Sequence, residues 1–338
     1  MPFPSHKIFE EFEPDKYKTS TQKKVESALE SAKKEGLGQR LESQEFESLN
    51  LREQYEAQVQ ALLNSGIIES QSESIEGIDA QEYPLPSYEA VIERFKENET
   101  MIKNKIEQGF TRLLMVPIAM SLDKLIDKYK ESLLKHHKAK KLFATKLNPS
   151  DPDLPLELNE KEPIWVWDKY KNADTKGELI YYPQEFSKNH GGKTKLELIA
   201  ETKSSSTPGW QVLLIEDLPN IPREKKGKTI GTRPQLEANK TPNEYLKTIQ
   251  TEATYQNESG LTPEDWLILA ATNLEKTNQV TDDYQGNGSI SYEIGAYFPS
   301  SGGVPSAYWD RDNRRAGLGG DNPSFRDDSV GVRVGVKV

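Results

Sequence analysis

The sequence predicts an α+β protein in which a helical N-terminal region precedes a mixed domain of short strands and long loops. Residues 1–150 hold five of the 22 glycines and no tryptophan, whereas residues 151–338 hold the other 17 glycines and all five tryptophans. Stretches poor in glycine and rich in Glu, Lys and Leu favour helix, and frequent glycines favour turns between short strands. Three prolines within residues 148–156 mark the boundary between the two parts.

Composition divides the chain into five predicted regions. The first is dense in Glu, Lys and Gln, the second is acidic and ends in Pro-Leu-Pro, and the fourth is rich in proline. The regions are a helical, partly flexible part at 1–67, an acidic linker at 68–86, an amphipathic helical hairpin or coiled coil at 87–147, a proline-rich linker at 148–156 and a ligand-binding domain at 157–338.

An apolar stripe runs through the third region, where apolar residues recur at spacings of three and four. Its members are Val91, Ile92, Phe95, Ile102, Ile106, Phe110, Leu113, Leu114, Leu122, Leu125, Ile126, Tyr129, Leu133 and Leu134. This spacing places them on one side of a helix, and Pro117 predicts a break because proline lacks the amide hydrogen that a helix interior needs. We therefore expect a helical hairpin within the chain, or a coiled coil that forms a homo-oligomer through residues 87–143.

Local patterns in the second part predict two helix starts and a terminal strand. Thr241 and Thr262 are each followed by proline and then by acidic residues, which is typical of a capped helix N-terminus. The second of these helices should run to about Lys276 and pack against a sheet. Valine alternates with other residues over 330–338, which predicts one terminal strand with its valines facing a core.

Composition also excludes several classes of function. The chain has no cysteine, which removes thiol nucleophiles, cysteine-ligated zinc, iron–sulfur clusters and disulfides. Its longest apolar run, Leu113 to Met120, is far shorter than the ~20 residues of a membrane-spanning helix. Acidic residues occupy the N-terminus, where a signal peptide would need an apolar run. We therefore expect a cytoplasmic protein without membrane insertion.

Two Gly-Lys-Thr triplets, at 192–194 and 227–229, do not complete a phosphate-binding loop. That motif needs a further glycine five residues before the glycine that precedes lysine, and those positions hold Ser187 and Pro222. Without that glycine the backbone amides cannot form the phosphate cradle, so a nucleotide is not an expected cofactor.

Adjacent acidic residues suggest an alternative function, as a calcium site or as the carboxylates of an enzyme. Asp282 and Asp283, together with Asp321, could supply oxygen ligands to calcium or carboxylates to an acid–base reaction. Adjacency in sequence does not create the geometry that either role needs, and solvent exposure is the simpler expectation. A structural calcium ion and a metal- or carboxylate-dependent enzyme thus remain alternatives, while the sequence assigns no catalytic residue, metal ligand or cofactor.

The segment from Tyr308 to Arg333 is dense in Arg, Asp and Asn around an aromatic pair. Arginine can bind a carboxylate with two parallel hydrogen bonds, which would hold an irregular loop in place. The arginines predicted to act as this scaffold are Arg311, Arg314, Arg326 and Arg333. Acidic residues alternate with them and the chain has a net charge of −10, so nucleic acid is not an expected partner.

This segment resembles the end of C-type-lectin-fold proteins of the formylglycine-generating-enzyme-like branch, in particular the variable proteins that diversity-generating retroelements diversify. The similar pattern is carried by Trp309, Arg311, Arg314, Ala316, Pro323, Arg326, Gly331, Val332 and Arg333. Blocks at 209–212 and 260–266 are also similar, so the resemblance covers about residues 157–338. It implies a compact mixed domain that displays a ligand-binding surface near its C-terminus.

The resemblance also implies which residues contact a ligand. They are Tyr308, Trp309, Asp310, Asp312, Asn313, Arg315, Asn322, Ser324, Phe325, Asp328 and Ser329. Gly317, Gly319 and Gly320 fall among the corresponding positions, and Trp309 could belong to the scaffold or to the floor of the site.

The expected function is the non-enzymatic binding of a protein or other macromolecule. Formylglycine-generating oxidases need active-site cysteines, and the related sulfoxide synthases need a histidine-rich iron site; this chain has no cysteine and only four histidines. A structural or assembly protein driven by its helical region is the alternative from another class.

Overall fold

The computed structural model describes residues 46, 49–69, 71–286 and 288–338. Most of the region predicted as helical and partly flexible, residues 1–67, therefore lies outside the described residues. Leu49–Val338 forms one compact unit of mixed α+β structure, which confirms the predicted class at that level.

Seven α-helices occur in the described part of the chain. They are α1 (Leu51–Asn64), α2 (Tyr88–Glu97), α3 (Glu99–Glu107), α4 (Leu122–Lys138), α5 (Lys195–Thr202), α6 (Pro242–Thr251) and α7 (Pro263–Thr277). Thr194, Thr241 and Thr262 cap α5, α6 and α7 through reciprocal capping boxes. The two helix starts predicted at Thr241 and Thr262 are confirmed.

The central helix is α7, which is buried along most of its length. It packs against α4, where Tyr129 and Trp266 meet edge to face at a ring distance of 6.0 Å, and it also contacts β3 (Phe110–Val116) of the first sheet described below. A helix that is apolar on most sides belongs in a core. The predicted packing of this helix against a sheet is thus confirmed.

Two larger sheets flank this core. The four-stranded sheet is antiparallel, in the order β3, β6 (Gln211–Glu216), β16 (Val334–Lys337), β9 (Glu258–Gly260). The six-stranded sheet has the order β15 (Val330–Val332), β11 (Ile290–Tyr292), β13 (Val304–Asp310), β14 (Arg315–Asp321), β4 (Ile164–Val166), and β10 (Asp283–Tyr284) also pairs with β13. Three two-stranded pairs complete the fold: β1 (Ser74–Glu76) with β2 (Glu82–Pro84), β5 (Ile180–Tyr181) with β12 (Ala296–Tyr297), and β7 (Thr229–Ile230) with β8 (Arg233–Pro234).

The predicted helical hairpin or coiled coil at 87–147 is wrong over residues 110–116. These residues form β3, which pairs with β6 beyond the proline-rich segment. A continuous apolar run such as Leu113–Val116 fits a buried strand as well as a helix, so periodicity alone could not separate the two. Most of the apolar stripe is buried inside this one chain, which removes the surface on which the predicted homo-oligomer depended.

The predicted boundaries also need correction. The acidic segment 68–86 contains the β1–β2 hairpin, whose Ile75 and Tyr83 are buried. The proline-rich segment 148–156 lies within the compact unit, and Pro155 forms an isolated β-bridge with Phe143. Neither segment separates two domains, because β3 contributes to a sheet built mainly from residues after 200.

The terminal valines form two strands in different sheets, so the prediction of a single terminal strand is wrong. β15 pairs with β11 in the six-stranded sheet, and β16 pairs with β6 and β9 in the four-stranded sheet. Arg333 lies at the transition, and its side chain is almost fully buried. All the valines of this stretch are buried, as the pattern predicted.

Candidate ligand-binding surface

The β13–β14 hairpin is the longest strand pair of the six-stranded sheet and contains most of the predicted ligand residues. Neighbouring residues of a strand point to opposite faces. On the inner face Ala307 and Trp309 are 0% and 1% exposed, whereas Tyr308 and Asp310 on the outer face are half-buried. We use "inner face" for the core side of this sheet and "outer face" for the other.

Glycines of β14 form the floor of the outer face. Gly317 lies directly opposite Tyr308, and a Cβ atom at Gly317 would lie 2.7 Å from the tyrosine ring. A Cβ atom at Gly319 would lie 3.6 Å from the ring of Trp165 on β4. The two half-buried rings therefore lie close against the strand, in space that larger side chains would fill.

A third ring extends this aromatic row. Tyr284 on β10 meets Tyr308 edge to face, with ring centres 5.8 Å apart and planes at 80°. Toward β11 and β15 the outer face is closed, because Tyr292, Val330 and Val332 are buried. The open part of the outer face thus carries the rings of Trp165, Tyr284 and Tyr308.

The hairpin tip, residues 311–314, is held by hydrogen bonds to Asp310 and Gln285. Asn313 donates to Asp310 from its backbone amide at 3.0 Å and from its side-chain amide at 2.7 Å. Arg314 has a φ of +54°, in the left-handed region. Gln285 donates to the carboxylate of Asp312, whose own backbone amide contacts Gln285 Oε1 at 3.3 Å. The tip is therefore an ordered turn with exposed side chains.

Two ion pairs whose carboxylates are buried, the anchor pairs, hold the sheet beneath this surface. Arg311 binds Asp283 through Nε and Nη2 at 2.7 and 2.6 Å. Arg333 binds Asp282 through Nη2 at 2.8 Å and Nε at 2.9 Å, and Trp266 Nε1 donates to the same carboxylate at 2.9 Å. Asp282 and Asp283 are both fully buried.

The loop from Asn322 to Ser329 connects β14 to β15 at the edge of the sheet. Its backbone is tied down, since Asn243 donates its amide to Pro323 O at 3.1 Å and Tyr292 donates its hydroxyl to Phe325 O at 3.1 Å. The side chain of Phe325 nevertheless remains 45% exposed. An apolar ring on an ordered loop is a feature of binding surfaces.

Two acids of this region have depressed pKa values. The pKa of Glu244 falls to about 2, because the backbone amide and hydroxyl of Thr241 and the guanidinium of Arg326 favour the charged form. Hydrogen bonds from the hydroxyl and amide of Ser329 lower the pKa of Asp327. In contrast, burial raises the pKa of Asp321 at the end of β14.

The structure separates the predicted ligand residues into two groups. Asp312 and Asn313 lie at the hairpin tip, and Asn322 begins the loop at the opposite end of β14, roughly 20 Å away for a seven-residue strand. Arg315 on the outer face pairs with Glu162. The exposed members are Asp312, Asn313, Asn322, Ser324, Phe325 and Asp328, and the half-buried ones are Tyr308, Asp310, Arg315 and Ser329.

Three of the predicted positions need correction. Trp309 lies in the core on the inner face, so of its two predicted roles the structure supports the scaffold. Arg311 and Arg333 form the anchor pairs as the scaffold prediction requires. Arg314 is exposed and has no ion pair to a described residue, and Arg326 pairs at the surface with Glu244.

Sequence reasoning missed Trp165 and Tyr284. Both reach the outer face through parallel pairing, of β4 with β14 and of β10 with β13. Parallel partners are distant in sequence, so no local pattern connects them. The glycines at alternate positions of β14 were the available signal, because they indicate that something large packs against the strand.

The acidic residues of the calcium-site or enzyme alternative have an environment that the sequence did not predict. Asp282 and Asp283 were expected to be exposed to solvent, but both are buried and paired with the arginines of the anchor pairs. Asp321 lies at the far end of β14 from them. Among the described residues, no three His, Asp or Glu side chains are grouped so that they could hold a metal ion.

The outer face is a strand surface on which Tyr308, Asp310 and Arg315 are half-buried. Two surface grooves of about 340 and 370 Å³ lie elsewhere; the first is lined by residues including Arg94, Trp210 and Lys337, and the second by residues including Lys228 and Tyr255. An open strand face suits a macromolecule better than a small ligand.

Comparisons with protein-family models, with curated proteins and with solved structures gave no match to this chain. Within the described residues, no helix combines the length and the apolar character that crossing a membrane requires.

Proposed function

We propose that this protein binds a macromolecular ligand, without catalysis, through the open part of the outer face, the hairpin tip and the 322–329 loop. The observation that carries this proposal is the combination of exposed side chains, such as Asn313 and Phe325, with a backbone fixed by the anchor pairs. Binding residues on ordered loops, positioned by a rigid scaffold, are the usual arrangement of a recognition surface.

The sequence resemblance supports the same proposal. A C-type-lectin-like domain of the variable-protein type would display ligand residues in this terminal segment, and the anchor pairs of Arg311 and Arg333 agree with scaffold positions. Three β14 glycines fit that pattern less well. At Gly317 and Gly320 an added Cβ atom would lie within 3 Å of an aromatic ring, so these positions serve packing rather than ligand contact.

The assembly alternative has lost part of its support. It rested on the apolar stripe, and Val91, Phe95, Leu125 and Leu133 of that stripe are at most 1% exposed within the single chain. Helices that have already buried their apolar sides have little left with which to form a coiled coil.

Selection of peptides tests the proposal. Twelve-residue random peptides displayed on phage are selected on the full chain, and the selected clones are measured on the triple variant Asp312→Ala, Asn313→Ala, Phe325→Ala. We expect at least a tenfold loss of affinity and little change in melting temperature, because the replaced side chains are exposed.

A matched control replaces an exposed carboxylate, an exposed amide and an exposed apolar side chain elsewhere: Glu178→Ala, Asn189→Ala, Leu196→Ala. This variant should keep the affinity of the full chain. Equal affinity of the clones for both triple variants would overturn the proposal, and so would unfolding of the first, since its residues would then be scaffold.

A further inference from the structure

Ion pairing leaves the predicted surface acidic, although its sequence is balanced. Residues 308–333 contain five arginines and five aspartates. Four of the arginines pair with acids outside the segment: Arg311 with Asp283, Arg315 with Glu162, Arg326 with Glu244 and Arg333 with Asp282. The segment therefore does not neutralise itself.

None of the five aspartates has a cationic partner within 4 Å in the described part of the chain. These open carboxylates are Asp310, Asp312, Asp321, Asp327 and Asp328. Among the five arginines of this segment, Arg314 is the one without an ion pair to a described residue. Arg223 lies beside this segment and donates to the carbonyl oxygen of Asp328 at 3.0 Å. Five negative charges against the positive charges of Arg314 and Arg223 leave a residual charge of about −3 at neutral pH, on a chain whose total is already −10.

Aromatic rings lie beside these carboxylates. Tyr308 precedes Asp310 by two residues on the outer face. Burial raises the pKa of the Tyr308 hydroxyl, and the charges of Asp310 and Asp321 add to this shift. Tyr284 meets Tyr308 edge to face, and Trp165 on β4 lies opposite Gly317 of β14, the glycine that faces Tyr308. The face of an aromatic ring attracts a cation, and guanidinium groups also stack on it.

We propose that the ligand bound by this surface presents arginine or lysine side chains, as in a basic segment of a partner protein, to the rings of the outer face and to the open carboxylates. This inference rests on the proposed function and adds the chemistry of the ligand. The aliphatic stems and planar guanidinium groups of such a segment would pack on Tyr308 and Trp165 while their charges meet Asp310 and Asp321. An acidic peptide or a nucleic acid would be repelled.

Synthetic peptides of defined charge test this inference on the full chain. The probes are fluorescent (Gly-Arg)6, (Gly-Lys)6 and (Gly-Glu)6, measured by anisotropy at about 50 and 300 mM salt. We expect the arginine peptide to bind tightest, the lysine peptide more weakly, the glutamate peptide not at all, and the binding to weaken at high salt.

Variants locate the binding. Asp310→Asn with Asp321→Asn should weaken the binding of the arginine peptide about tenfold, and so should Asp312→Asn with Asp328→Asn, at two exposed positions. Tyr308→Leu should weaken it several-fold without any change in charge. The matched control, Glu178→Gln with Glu185→Gln, removes two exposed charges elsewhere and should change the affinity less than twofold.

The results separate the two proposals. If the control weakens the arginine peptide as much as the surface variants do, the attraction is diffuse and the inference is wrong. If no basic peptide binds while phage-selected peptides still depend on Asp312, Asn313 and Phe325, the inference fails and the proposed function stands. If both kinds of peptide fail to depend on this surface, the proposed function fails as well.

Discussion

The two faces of the six-stranded sheet use the same residue types in opposite ways. On the inner face, Asp283 and Arg311 are held together by two hydrogen bonds, and Trp309 is in the core. On the outer face, Asp310 has no cationic partner among the described residues, and Tyr308 is only half-buried. Neighbouring residues of one strand thus serve stability and display separately, so a change in one role need not disturb the other.

The largest expected difference concerns arginine. Arg333→Ala leaves the carboxylate of Asp282 buried without its charge partner, and we expect a loss of about 3–5 kcal/mol in the free energy of unfolding. Arg326→Ala removes a half-exposed pair and should cost less than about 1 kcal/mol. Urea unfolding followed by circular dichroism measures both. Similar losses of unfolding free energy in the two variants would show that burial does not decide how much an arginine pair contributes to stability.

Truncation of the two neighbouring aromatic residues gives a second contrast. Trp309→Ala would open a cavity in the core and should cost about 3–5 kcal/mol, whereas Tyr308→Ala should cost clearly less because its ring already contacts solvent. Calorimetric melting of both variants is the measurement. A Tyr308 variant that unfolds as readily as the Trp309 variant would place the outer face within the core.

A buried acid and an exposed acid should give opposite dependences of stability on pH. Burial at the start of α7 raises the pKa of Asp265 to about 7, whereas the pKa of Glu244 falls to about 2. The contribution of Asp265 to stability is full below its unfolded pKa near 4 and is lost as the pH rises through 7. The contribution of Glu244 is present above its unfolded pKa near 4.3 and is lost as the pH falls toward 2.

Asp265→Asn isolates the first effect, because the amide stays neutral and can still accept the hydrogen bond from Thr262 N. Between pH 4 and 7 the free energy of unfolding of the parent chain should fall by on the order of 2–4 kcal/mol because of Asp265. The variant should not show this fall. Urea midpoints across this range test it, with Glu197→Gln at the exposed cap of α5 as a control. Parallel curves for variant and parent would contradict a neutral Asp265.

The smallest expected effect concerns the glycine floor. Gly317→Ala forces its methyl group against the Tyr308 ring and should cost about 1–2 kcal/mol while it shifts the ring. Gly319→Ala meets the Ser306 hydroxyl at 3.0 Å and should cost less. The melting temperatures of the two variants give their order of stability, and binding of the arginine peptide shows whether the Tyr308 ring has shifted. A larger loss for Gly319→Ala than for Gly317→Ala would mean that the Tyr308 ring moves aside at little cost.

Local structure was predictable from local sequence, whereas pairing was not. The caps at Thr241 and Thr262 depend on residues three positions apart, and both were predicted. The strand at 110–116 depends on a partner almost a hundred residues later, so its apolar run resembled a helix. The break at Arg333 depends on Asp282, which no alternation of valines reveals.

The candidate surface shows the same limit. Asp312, Asn313 and Phe325 were named through the resemblance, and all three are exposed. The burial of Trp309 and the contribution of Trp165 follow from the registers of β13, β14 and β4, which sequence alone does not fix. The acidity of the surface depends on which acids pair with the arginines, and four of those acids lie outside the segment.

The passage of the chain through Arg333 has a mechanical consequence. One residue joins the last strand of the six-stranded sheet to a central strand of the four-stranded sheet, and its guanidinium also binds the carbonyl oxygen of Leu218 at 3.1 Å. Tension applied to the surface by a bound partner would pass directly into the other sheet. The two sheets should therefore lose amide-exchange protection together, as one cooperative unit.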